Sequence, residues 1–161
     1  MRRLAALLFL LLLGACYQVE GETVPAAASV RVDRVKDGRY RRPDGVEVAV
    51  RWNADQRQYD VATKDGPAGT ARAARLAAGV YLVQYKDAAS LTLLAAVQGD
   101  DVVLFAPNKP AEQEMIKAHG LSLRPGPINA LVGPPRSVTN FLKDLAASGE
   151  YAEGGRMVYL P

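Results

Sequence analysis

Few residues of this 161-residue chain have types and spacing suited to chemistry, and Cys16, its single cysteine, comes first. Cys16 directly follows Leu13, Gly14 and Ala15. Before them lies an unbroken apolar run, Leu4 to Leu13, headed by Arg2 and Arg3. The single histidine, His119, stands where a helix is expected to end, so its imidazole suits the last carbonyls and the helix dipole. One His and one Cys are too few for a zinc site. Asp100-Asp101 lacks the spaced oxygen ligands of a calcium loop and reads as a turn. Nucleophile motifs of the Gly-x-Ser-x-Gly or Ser-x-x-Lys kind are missing, and Ser29, Ser90, Ser122, Ser137 and Ser148 fall in turns, caps or loops. Gly126 to Gly133 has no Lys-Ser/Thr after it and is no phosphate loop. The expectation is a protein that is not an enzyme, with no cofactor and no metal.

The order around Cys16 is more specific. A charged start, an apolar run and small residues are the layout of a secretory signal peptide. A run of ten apolar residues falls short of the roughly 20 that a bilayer-spanning helix needs. With the cysteine placed directly after it, Leu13-Gly14-Ala15-Cys16 resembles the lipobox of bacterial lipoproteins. That resemblance implies cleavage before Cys16, a diacylglyceryl group on its thiol and, in most such proteins, an acylated α-amine. Two or more chains hold a protein on a membrane stably where one does not. Tyr17, rather than Asp, follows the cysteine. By the same resemblance this implies the outer membrane, facing the periplasm.

Removing residues 1–15 takes two arginines and no acid from the 20 Lys+Arg and 17 Asp+Glu of the chain. The net charge of +3 then drops to +1, so the basic balance carries no nucleic-acid signal. A lipidated Cys16 leaves no thiol for a disulfide, and the fold rests on its core. The remaining 146 residues are enough for one domain, burying about 68–70% of the unfolded surface.

One cluster of charge stands out. Arg31, Arg34, Lys36, Arg39, Arg41 and Arg42 are offset only by Asp33 and Asp37. These six are candidate contacts to anionic lipid headgroups, each worth about 1 kcal/mol near a charged surface. The competing reading is a solvated edge strand whose basic side chains discourage edge-to-edge pairing.

The elements that must position these residues follow from periodicity. Residues 16–29 are expected as the lipidated cysteine and a flexible tether, because they hold few large apolar residues. From Val30 the texture changes. Val46, Val48, Val50 and Trp52 alternate with polar residues, as do Tyr59, Val61 and Thr63, and Ala54 to Arg57 joins the two runs as a hairpin. Residues 80–85, 91–97 and 102–106 are apolar on both faces and need cover on both. Gly99-Asp100 has the pattern of a tight type II′ turn. Gln84 is the one polar residue expected to be buried, and its amide needs partners. Residues 71–78 are compatible with strand or helix. A short helix is expected over 110–119, loop over 124–136, and a last strand over 157–160. Ser137 is expected to cap a helix bearing Val138, Phe141, Leu142, Leu145 and Ala146 on one face, ended by Gly149. The tyrosines and Trp52 suit either cross-strand packing or the lining of a pocket or partner surface.

The order Gly38-x-Tyr40, the Trp52/Tyr59 hairpin, Tyr81-Leu82-Val83-Gln84, the Gly99-Asp100 turn and the Phe141-Leu142-x-x-Leu145 helix resembles uncharacterised small envelope lipoproteins of Gram-negative bacteria. That resemblance implies no activity, cofactor or site. The expected architecture is one α+β domain over 30–161. Its core is a mostly antiparallel β meander, a bent sheet or partial barrel, with two C-terminal helices packed on one face. The expected function is a non-enzymatic, membrane-anchored envelope adaptor or structural component. It would contact the bilayer through acylated Cys16, an unidentified envelope protein as partner, and no nucleic acid. The alternative is a binder of a small, lipid-like ligand. An enclosed apolar cavity of a few hundred Å³ marks the binder. An exposed apolar patch marks the adaptor.

Overall fold

Alternating in-and-out side chains build a meander of antiparallel hairpins, and here the meander bites its own tail. The computed structural model describes residues 14–65 and 69–161. The basic start and apolar run of the expected leader lie outside the described residues. Among the described residues the elements are β1 (Cys16–Val19), β2 (Gly38–Arg41), β3 (Glu47–Asn53), β4 (Gln58–Thr63), β5 (Gly69–Ala77), β6 (Val80–Lys86), β7 (Ser90–Gln98), β8 (Asp101–Pro107), α1 (Lys109–Ala118), β9 (Ser122–Arg124), β10 (Ala130–Val132), α2 (Pro135–Ser148) and β11 (Tyr151–Leu160).

Strands β2 to β8 pair in sequence order, each antiparallel to the next. β11 then pairs with β8 on one side and β2 on the other. The result is a closed eight-stranded barrel, β6-β5-β4-β3-β2-β11-β8-β7, in which β6 also pairs with β7. This corrects the expectation of a bent sheet or partial barrel. Closure removes both sheet edges, so every barrel strand has partners on both sides. The closing strand runs over ten residues rather than the four expected, and it is kinked by a bulge between Glu153 and Gly155. Gly154 permits that kink: a Cβ there would come within 2.7 Å of the Ala106 Cβ.

A small flap grows from the barrel. β1 pairs antiparallel with the first half of β7, matching Cys16 with Leu93, and β10 and β9 extend the sheet beyond it. Two further expectations are corrected here. Residues 16–29 are no flexible tether: Tyr17, Val19 and Val24 are buried in the core, and residues 26–28 form a 3₁₀ turn. Residues 124–136 are not simply loop, since they hold β10 and the start of α2. The apolar side chains of 17–24 are spaced too irregularly to signal a strand, yet they fill a surface that the barrel alone leaves open.

The outer face of β6 and β7 supplies one core. Val80, Leu82 and Leu94 pack with Tyr17, Val24 and Leu131, with Ile116 of α1, and with Phe141, Leu142 and Leu145 of α2. The inner face supplies the other, built on Tyr40, Val48, Val50, Tyr59, Ala73 and Tyr81. Two cores explain why β6 to β8 are apolar on both faces. Residues 71–78 are largely strand, in β5. α2 starts at Pro135, with Pro134 at the cap and no side-chain capping bond, so Ser137 is not its cap. Gly149 ends it in the left-handed conformation, as expected.

Gln84 is buried, as its setting in an apolar strand predicts. Its Oε1 accepts from the backbone N–H groups of Thr23 and Val24, each at 3.0 Å. Its Nε2 donates to the Gly21 carbonyl at 2.9 Å and to Ser90 Oγ at 2.8 Å. One side chain therefore staples the 21–24 segment onto the barrel. Tyr17 and the buried carboxylate of Glu112 are hydrogen-bonded, and Lys109 Nζ lies 3.0 Å from the other carboxylate oxygen. Burial and this contact push the Tyr17 hydroxyl pKa far above its ordinary value. The contact locks β1 to α1.

Candidate functional site: the barrel interior

Period-two alternation sends Tyr40 and Arg42, Val48 and Val50, Tyr59 to Thr63, Tyr81 to Tyr85, and Leu91 to Val97 inward at every second position. Large residues gather at one end. There Tyr40, Tyr59 and Tyr81 form a floor, closed from below by Val32 and Val35. The Tyr59 hydroxyl accepts from the Val32 N–H at 2.7 Å. The Tyr40 hydroxyl accepts from the Lys36 N–H and donates to its carbonyl, both at 3.0 Å. Burial pushes the Tyr59 pKa up to about 12 and raises that of Tyr40. The phenols are thus kept neutral as fixed partners of the 30–36 segment, which acts as a plug.

Above the floor the inward residues shrink. Ala71, Ala73, Val83, Leu93, Ala95 and Leu104 leave a cavity of about 430 Å³. An eight-stranded barrel is just wide enough either to fill with its own side chains or to hold one small ligand. Alanines at mid-height leave this one partly unfilled. The volume lies in the roughly 300–1,000 Å³ range of small-molecule sites.

The other end is the mouth, where the β2–β3 and β6–β7 connections and β1 meet. Its rim carries Cys16, Arg42, Thr63, Tyr85, Asp87 and Ile128. Arg42 is held by Asp44, Nη2 to Oδ2 at 2.7 Å. Thr63 Oγ1 is fully buried and has no hydrogen-bond partner among the described residues. Tyr85 packs against Gly69, where any Cβ would collide with its phenol. Burial pushes the Cys16 thiol up to about 11, partly opposed by the Arg42 charge. Burial and Asp87 raise Tyr85, and Arg42 again opposes. The field of Arg42 thus reaches both Cys16 and Tyr85 at the rim.

Of the six basic residues singled out in the sequence, the structure brings only Arg42 to this mouth. Arg31 pairs with Asp37 at 3.4 Å and Lys36 with Asp100 at 2.8 Å, both at the plugged end. Arg39 and Arg41 point outward from β2, sharing Glu47 at 3.7 and 3.2 Å. Arg34 has a left-handed backbone, φ 69°, and no ion pair among the described residues. Surface pairs of this kind contribute little stability. His119 caps α1 by position, but its Nε2 meets Asp144 of α2 at 2.8 Å rather than a helix carbonyl. Asp101 accepts from the Tyr159 N–H at 3.0 Å, a structural role in the turn. Among the described residues no three His, Cys, Asp or Glu side chains converge as a metal site would require.

Sequence reasoning missed Thr63 and Tyr85 as rim residues. The signal was available: each has the same parity as an inward neighbour, Val61 and Val83. What parity does not say is at which end of a barrel the residue sits. No family model, curated protein or solved structure matches this chain, so the reading of the site rests on its own geometry.

Proposed function

We propose that this protein is a lipid-anchored envelope lipoprotein, non-enzymatic and facing the periplasm, whose barrel holds a small apolar or lipid-like ligand. The observation that carries the reading is the apolar cavity of about 430 Å³, floored by tyrosines and open at one end. An adaptor would be favoured by an exposed apolar patch. The exposed large hydrophobics among the described residues are only Val46, Val132 and Val158, and single valines are ordinary surface. Ligand binding therefore ranks above the adaptor reading.

The anchor supports the same reading. Cys16 lies on the rim, so a lipid on its sulfur would bring the open end of the barrel to the bilayer. Ligand would then enter from the membrane without crossing water. Tyr17 is compatible with outer-membrane sorting, and its burial against Glu112 is a separate, structural reason for a tyrosine there.

Native mass spectrometry of the Cys16→Ser protein, gently purified from the periplasm, tests the reading. A reproducible non-covalent mass of a few hundred daltons is expected. A bare mass, together with cross-linking to one envelope protein, would restore the adaptor.

A further inference from the structure

We infer that the ligand of the barrel is a single-chain amphiphile with an anionic headgroup, its chain on the tyrosine floor and its head held by Arg42 and Thr63. This rests on the ligand-binding reading above and adds to it the chemistry of the ligand.

Three observations converge. At the tyrosine end Val32 packs over the cavity, and its N–H donates to the Tyr59 hydroxyl at 2.7 Å. A ligand inside it must be apolar at the end that enters and is free to be polar at the end left behind. The walls at mid-height are alkyl groups, with Ala73, Leu93 and Ala95 among them. At the mouth, two donors lack a full set of acceptors. Arg42 has five N–H donors, and Asp44 accepts through Nη2 alone at 2.7 Å. Thr63 Oγ1 is buried without a partner among the described residues, a state that costs free energy unless an acceptor arrives. An anionic oxygen at the rim would satisfy both.

The acidic group nearby does not argue against this. Asp87 already accepts from the Ala89 N–H at 2.9 Å and adjoins the Tyr85 hydroxyl, so it is committed to its own turn. Asp44 is held on Arg42. Carboxylate and phosphate monoester heads share the required chemistry, and the experiment separates them.

The full chain, exchanged from detergent into amphipol, is loaded with the neutral fluorophore N-phenylnaphthylamine. Dodecanoate, dodecyl phosphate, dodecanol and dodecyltrimethylammonium compete for it. At least one anion is expected to displace the reporter at about tenfold lower concentration than dodecanol, the scale of one charge-assisted hydrogen bond. Which anion wins identifies the head. In Arg42→Gln that advantage is expected to vanish, the anion then displacing the reporter no better than dodecanol does. Thr63→Val, nearly isosteric, is expected to reduce it severalfold, and it decides the matter if Arg42→Gln no longer takes up the reporter. Equal displacement by dodecanol and both anions, or a preference for the cation, overturns the headgroup inference and leaves the apolar site standing. No uptake of reporter by the wild-type chain overturns both.

Discussion

The Tyr59 hydroxyl accepts the Val32 N–H at 2.7 Å, across 27 residues of sequence, and so ties the barrel wall to the plug beneath it. Tyr59→Phe would leave that N–H buried without an acceptor. The expected loss is about 1–3 kcal/mol, read as a lower urea midpoint with an unchanged slope. A loss below a few tenths of a kcal/mol would mean that water or a rearranged plug takes over the bond.

The same residue sets an alkaline limit. Its folded pKa stands at about 12 against an ordinary 10.0. The folded state therefore holds a proton that the unfolded state releases first. Stability from this group is complete below pH 10.0 and is lost as pH rises toward about 12. Tyr17, raised by burial and Glu112, adds in the same direction. Denaturation curves across that window should show the decline. Tyr59→Phe should make it shallower.

Filling the cavity should separate binding from folding. Ala95 lines the cavity at mid-height, and Ala95→Phe places a ring in empty space rather than in a packed core. Ligand uptake is expected to fall at least tenfold, while stability changes by less than about 1.5 kcal/mol. A variant that still binds as well as the parent would place the ligand elsewhere.

Gln84 is the staple of the 21–24 segment, through bonds of 2.9 to 3.0 Å to Gly21, Thr23 and Val24. Gln84→Leu keeps the volume and removes every bond. The buried Val24 N–H and the half-buried Thr23 N–H lose their acceptor, for an expected cost of about 1–3 kcal/mol. Hydrogen exchange at the Val24 amide should accelerate more than at Leu94, which belongs to the same core.

Local pattern alone determined much of this protein. Alternation and turn chemistry located β3, β4 and β6 to β8. The apolar stripe from Val138 to Ala146 and the αL glycine at 149 located α2. Burial of Gln84, and its need for partners, followed from its apolar neighbours. Each of these depends on residues within a few positions of each other.

What the tertiary structure decided is closure, and the site with it. β11 completes the barrel through Glu153-Gly154-Gly155-Arg156, residues with weak strand character, because both of its edges find partners already in place. Tyr17 and Val24 read as tether because their burial needs a surface that helices and barrel make together. The cavity exists because alanines on β5 and β7, on either side of β6, line the inside of a closed wall, and parity along one strand carries no information about which strands stand beside it. Side-chain spacing fixes which way a residue faces. Only the number of strands and their register fix what it faces, and that is why the cavity became visible in three dimensions.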